Sequence, residues 1–237
     1  MVLRYRTKLL KAISFFVLGF MVFMCMDVSE AAYAKGTART ENNEKKMILI
    51  DPGHGGIDGG AVSKKGTLEK DINLAISLKL RDELKKCGFN VIMSREEDVG
   101  LYSDRGRIRD KKREDLKNRC LLKENSGCHM FISIHQNAFP QVQYYGAQVW
   151  YSKTEDSKML AHIVQENLKA DLNGGNKRME KPAVEGYKIL QCRTIPSIIV
   201  ECGFLSNAAE EEKLRTEDYQ KKIAQSIAKS VVQFFEE

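Results

Sequence analysis

From residue 47 onward, short apolar runs alternate with stretches in which leucine and isoleucine recur every four residues. Met47 to Asp51 (MILID) is a strand-like run closed by Pro52-Gly53. Leu68, Ile72, Ile76, Leu80 and Leu84 then mark one face of an amphipathic helix that stops at Gly88, with Leu74 and Leu78 beside them. The same alternation continues to the end. It predicts strands at Asn90–Ser94, Met130–His135, Ala147–Tyr151, Tyr187–Gln191 and Ser197–Val200. It predicts helices over Asp110–Asn125, around Met159, Ile163 and Leu168, and from Tyr219 to Phe234. Strands separated by helices imply an α/β fold, with helices on both faces of one sheet. Hairpin-type returns after the third strand and before the last make that sheet mixed.

Composition narrows the class. The 237 residues are 43% hydrophobic and 30% charged, which excludes a disordered or collagen-like chain. The net charge of +6 is too mild for a dedicated nucleic-acid binder. Part of it belongs to the first 34 residues. There Arg4, Arg6, Lys8 and Lys11 precede the apolar stretch Ala12–Met26, and Ala32-Tyr33-Ala34 follows as a small-x-small site. This is the pattern of a secretory signal peptide cut after Ala34. The apolar stretch is shorter than a spanning helix prefers, so membrane contact is expected only through the leader. Met24 before Cys25 is too large for a lipid-attachment site. Residues 35–46 read as a flexible polar lead-in, and residues 47–237 as a single domain without repeats.

The remaining cysteines, Cys87, Cys120, Cys128, Cys192 and Cys202, are odd in number and show no C-x-x-C pair. They are expected to be small buried apolar residues. The basic run Arg105, Arg107, Arg109, Lys111, Lys112 and Arg113 reads as a solvated helix face. The alternative is contact with an anionic wall polymer or an acidic partner.

Three predicted strands end in chemically capable residues: Asp51, His135 and Glu201. In open α/β sheets ligands bind outside the carboxyl ends of strands. His54 sits in a glycine loop (Asp51-Pro-Gly-His-Gly-Gly56), and Glu69 opens the first helix. Alone, each has an ordinary structural reading as a turn residue, a strand end or a helix-dipole partner. Glu201 between Val200 and Cys202 is harder to dismiss, because a carboxylate closing an apolar strand is expensive to bury unless it is paired or used. Together, His54, Glu69 and His135 make a three-ligand zinc set with an open position for water. Glu201 supplies a carboxylate for acid–base work. Asp51 and Asp58 are candidates to orient the imidazoles, Asp58 equally a turn former. His129 and His162 lack such settings and read as structural or surface residues. The glycine loop has neither a P-loop ending nor a dinucleotide fingerprint.

Several segments, in order, resemble the zinc-dependent N-acetylmuramoyl-L-alanine amidases of the type 3 family. They are Ile48–Gly56, Glu69–Asn73, Ser94-Arg95, Leu116 with Arg119 and Asn125, Phe131–Ala138, Gly146-Ala147 and Val200–Asn207. The lack of wall-binding repeats and the basic stretch before Leu116 are most similar to the CwlD-type spore-cortex amidases. The resemblance implies a twisted sheet of about six strands. It implies one Zn²⁺ per chain on His54, Glu69 and His135, catalysis by Glu201, and a substrate contact at Asn137. Gln136 and Cys202 stand where other residues are common in the family, and Cys202 is a competing ligand to consider.

The expected activity is hydrolysis of the amide between N-acetylmuramic acid and L-alanine in peptidoglycan. The expected setting is muramic-lactam formation in the spore cortex, needed for germination. Two alternatives stay open: a metallo-carboxypeptidase on the stem peptide, and a silent peptidoglycan-binding module. The expected partners are peptidoglycan and an accessory protein that supports metal occupancy or targeting, with no nucleic acid. The expected location is outside the cytoplasmic membrane, in the wall or the forespore intermembrane space.

Overall fold

The structure is a computed structural model describing residues 45–172, 174–191 and 195–237. The leader and the lead-in through residue 44 lie outside the described residues. Six strands form one sheet in the order β2-β1-β3-β6-β4-β5. They are β1 (Met47–Pro52), β2 (Asn90–Met93), β3 (Met130–Asn137), β4 (Gln148–Tyr151), β5 (Lys181–Pro182) and β6 (Ser197–Phe204). β2, β1, β3 and β6 run parallel, while β4 lies antiparallel to β6 and parallel to β5. The sheet is therefore mixed. The chain does not fold β3 directly back onto β4, because β6 inserts between them.

Side-chain alternation decides what each face of the sheet carries. Ile48 and Ile50, Ile132 and Ile134, and Ile198 and Val200 point to one face. There they meet α1 (Glu69–Lys86), α3 (Glu155–Leu172) and α6 (Glu217–Glu236), through residues such as Ile76, Leu80, Val164, Ile227 and Val231. The intervening Leu49, Phe131 and Ile199 face α2 (Ile108–Asn125) and the one-turn α4 (Lys188–Gln191). Helices thus cover both faces, and a short α5 (Ala208–Leu214) follows β6. Asn207 caps α5, its side chain accepting from the backbone N–H groups of Ala209 and Glu210. No described helix is long and apolar enough to cross a membrane.

One predicted strand is overturned. Tyr187–Gln191 is not a strand, and Lys188–Gln191 forms α4 instead. The edge position beside β4 is taken by Lys181–Pro182, and proline at an edge forfeits no needed ladder bond. Ile189 and Leu190 bury themselves in the α2-side core rather than against a neighbouring strand. Fully buried Lys123 of α2 donates to the Ile189 carbonyl at 3.0 Å and lies 4.8 Å from the Phe131 ring centroid, which ties this segment to α2.

The cysteine reading is also corrected. Cys128 and Cys202 are buried free thiols, but Cys87 is exposed where α1 ends. Cys120 is disulfide-bonded.

Candidate metal centre

Alternation that sends Leu49, Phe131 and Ile199 toward α2 also sends Asp51, Ser133, His135 and Glu201 there, nearer the strands' carboxyl ends. His135 and Glu201 are direct register partners on β3 and β6. The β1–α1 loop brings His54 and Glu69 to the same place. His54 adopts a left-handed backbone conformation (φ 62°), a strained state for a non-glycine residue that clusters at functional sites. Two glycines keep space for the rings. A Cβ on Gly53 would lie 2.3 Å from His135, and one on Gly60 would lie 2.5 Å from a Glu69 oxygen.

Glu69 is the hub. Its Oε2 lies 3.2 Å from His54 Nε2, and its Oε1 lies 3.0 Å from His135 Nδ1. It also accepts from the backbone N–H groups of Ala61 and Gln136 and from the Asn73 amide. Although Glu69 is the first residue of α1, its side chain is spent on this cluster. Burial opposes its ionised form, but the bonds to His135 and His54 outweigh burial and hold its pKa far below the usual range. One ligating atom each from His54, Glu69 and His135 lies within 4.8 Å of the others. A mixed imidazole and carboxylate donor set of this kind suits zinc.

Asp58 holds His54 from behind, with Oδ2 2.9 Å from Nδ1. Burial disfavours the His54 imidazolium, yet Asp58 and Glu69 prevail and raise its pKa to about 9. Lys112 of α2 completes the chain, its Nζ 2.7 Å from Asp58 Oδ1.

Glu201 is buried among these groups, and its Oε2 has no hydrogen-bond partner among the described residues. Burial pushes its pKa up to about 7, with His135 pulling the other way. Such a carboxyl is poised to take and return a proton near neutral pH. A cleft of about 320 Å³ opens onto it. One wall is α2, with Lys112, Asp115, Leu116 and Arg119, and the other is the segment around Tyr187. Tyr187 stacks on Trp150 with ring centroids 5.1 Å apart. Burial, and then Glu201, push the tyrosine pKa up to about 12.

Other expectations land elsewhere. Asp51 does not reach an imidazole through a hydrogen bond. Its carboxylate accepts from Ser94, Ser133 and Arg119. Burial raises its pKa, but Arg119 and the two serines outweigh this and leave it at about 2. Asn137 is not among the cleft-lining residues, and its carbonyl accepts from Leu205 N–H. Cys202 is buried on the opposite, α1-side face and belongs to no metal-capable group among the described residues. His129 Nδ1 accepts from the Met47 N–H at the start of β1. His162 is exposed beside Glu180 and Glu166, where Glu166 also pairs with Lys169.

Sequence reasoning missed three supports. Buried Arg119 donates to the carbonyls of Pro52 and His54 and to the carboxylates of Asp51 and Asp115, so it clamps the loop that carries His54. Arg95 does the same for the Pro52 and Gly53 carbonyls. Lys112 was hidden in a run of surface charge. The available signal was the position of Lys112, Leu116 and Arg119 on one helical face.

The sequence profile of the N-acetylmuramoyl-L-alanine amidase family matches residues 48–233. The germination-specific N-acetylmuramoyl-L-alanine amidase of Bacillus subtilis is 39% identical over 195 residues, covering 81% of each chain. Among solved structures, the CwlD amidase from Clostridioides difficile in complex with the GerS lipoprotein aligns with a TM-score of 0.79. It is 46% identical and covers 81% of this chain and 99% of that one. A second Clostridium difficile 630 N-acetylmuramoyl-L-alanine amidase gives a TM-score of 0.71 at 33% identity, covering 81% and 97%.

Proposed function

The chain belongs to the N-acetylmuramoyl-L-alanine amidase family, and from this we propose that it cuts the amide between muramic acid and L-alanine in peptidoglycan with one zinc ion and Glu201. One observation carries the reading: the convergence of His54, Glu69 and His135 beside a buried Glu201 whose Oε2 has no partner among the described residues. His54, Glu69 and His135 would hold the zinc, which supplies polarisation of the scissile carbonyl and acidification of a water.

The rest falls to the chain's own groups. Glu201 takes the proton of the attacking water and returns it to the departing alanine nitrogen, so the peptide leaves as a neutral amine. Its raised pKa lets one carboxyl do both at neutral pH. Asp58 keeps the His54 ring oriented through Nδ1. Arg119 and Arg95 hold the His54 loop by its carbonyls. Tyr187 lines the cleft together with Glu201, across from α2.

The biological setting we propose is cortex maturation before germination, in the wall or intermembrane space after export and removal of residues 1–34. The similarity to the B. subtilis germination-specific enzyme supports it. The C. difficile relative was solved with the GerS lipoprotein. That supports an accessory protein for this chain too, one that aids metal occupancy or targeting.

Digestion of purified peptidoglycan by the zinc-loaded protein, read by mass spectrometry, tests the activity. Peptides with a free alanine N-terminus and glycan with an intact lactyl group are expected. Release of terminal amino acids alone would indicate a carboxypeptidase. No release, with zinc bound, would indicate a binding module. Glu201→Ala should keep zinc and lose activity by at least about a hundredfold.

A further inference from the structure

The basic run that precedes Leu116 is divided by the fold. α2 begins at Ile108, so Arg109, Lys111, Lys112 and Arg113 occupy its first two turns. Positive charge there opposes the helix dipole. Asp110, Glu114 and Asp115 in the same two turns offset only part of it, and the Arg107 N-cap makes no side-chain capping bond. Local preference therefore argues against this placement, a conflict that points to use elsewhere.

The cleft wall shows where. Lys112, Asp115, Leu116 and Arg119 line it, spaced three, four and seven residues along one helical stripe. Arg109, three residues before Lys112, continues the stripe one turn outward. The inner charges on this stripe are already matched: Arg119 with Asp51 and Asp115, and Lys112 with Asp58. Arg109 is exposed and forms no ion pair among the described residues. Lys112 is half-exposed, and its ammonium carries three donors, one of which faces Asp58. One turn beyond the lining residues, α2 thus adds the exposed cation Arg109 beside Lys112.

The chemistry of the substrate says which half would meet these cations. The lactyl carboxyl of muramic acid is consumed in the scissile amide, and the sugar otherwise offers hydroxyl and acetamido groups. Free carboxylates lie on the peptide side. Resting on the amidase reading above, we propose that Arg109 and Lys112 form a carboxylate-binding subsite for the peptide half of the substrate. The enzyme then favours stem peptides whose second residue keeps its free carboxylate over those in which it is amidated. Charge-assisted hydrogen bonds give such a site its selectivity.

Two soluble muropeptides that differ only in carboxylate or carboxamide at that residue test this with the zinc-loaded protein. The wild type should favour the carboxylate form about tenfold in kcat/KM, mainly through KM, equivalent to ~1.4 kcal/mol. Raising salt from about 50 to about 300 mM should shrink the preference. Arg109→Glu should bring the ratio near one, and Arg109→Gln should land between. Lys112→Gln should also reduce the ratio, but it disturbs Asp58, so the Arg109 variants decide. Equal use of both substrates by the wild type, or a preference retained in Arg109→Glu, overturns the subsite and leaves the amidase reading standing. Cleavage of neither substrate by the zinc-loaded wild type overturns both.

Discussion

His135 and Glu201 are register partners on adjacent parallel strands, facing the same side of the sheet. The backbone ladder therefore sets the spacing between an imidazole of the metal-capable cluster and the buried carboxylate beside it. A site whose spacing is fixed by a central strand pair is stiffer than one assembled from loops alone. The remaining members, His54 and Glu69, come from a loop and a helix start, and they need Arg119, Arg95 and Asp58 to hold them.

Glu201 should make the metal-free protein less stable as pH rises. Its folded pKa of about 7 lies above the ordinary 4.5. The folded state therefore binds the proton more tightly, and stability is lost as pH climbs from about 4.5 through about 7. Glu201→Gln should raise the stability of the metal-free protein by up to about 3 kcal/mol at pH 8 and change little at pH 4. Urea unfolding at the two pH values checks this. An equal gain at both would remove ionisation as the cause.

Asp58→Ala should weaken zinc binding about 10- to 100-fold, because His54 loses the partner at Nδ1. Competition against a chromophoric zinc chelator measures it. Unchanged affinity would reduce Asp58 to a turn residue.

Arg119→Leu should destabilise the fold by about 3–5 kcal/mol, since it strands the buried Asp51 carboxylate. Adding Asp51→Asn should recover part of the loss, giving a non-additive double-mutant cycle. Additive losses would show that the two residues act separately.

Gly53→Ala should lower zinc stoichiometry more than it lowers the unfolding midpoint. The added methyl would sit 2.3 Å from the His135 ring, which must turn away. Metal analysis beside thermal unfolding separates the two effects. Full zinc occupancy in this variant would contradict the crowding argument.

Much of this was legible in the sequence because β-strands alternate with period two. Once Ile48, Ile132 and Ile198 are read as core, Asp51, His135 and Glu201 fall on the other face without further information. The error at Tyr187–Gln191 shows the limit. Its apolar residues suit a strand or a buried turn equally, and sheet-edge occupancy by Lys181–Pro182 decides between them. Asp51 is a candidate in the sequence to orient the imidazoles, yet its carboxylate is engaged by Arg119 of α2 and by two serines. Nothing in local spacing reports a partner 68 residues away.

By itself, the sequence determined the residue types available, the strands and helices that carry them, and the face on which each strand-end group emerges. These follow from short-range backbone geometry and from the alternation of apolar and polar side chains. Only the tertiary structure decided that β6 lies beside β3, that the side chain of Glu69 turns back between two imidazoles, and that Arg119 and Lys112 reach the His54 loop from α2. Those outcomes depend on which long-range packing buries the most apolar surface while giving buried charges such as Asp51, Glu69 and Arg119 their partners and leaving Glu201 without one among the described residues. That balance is struck across the whole domain, and no single segment contains it.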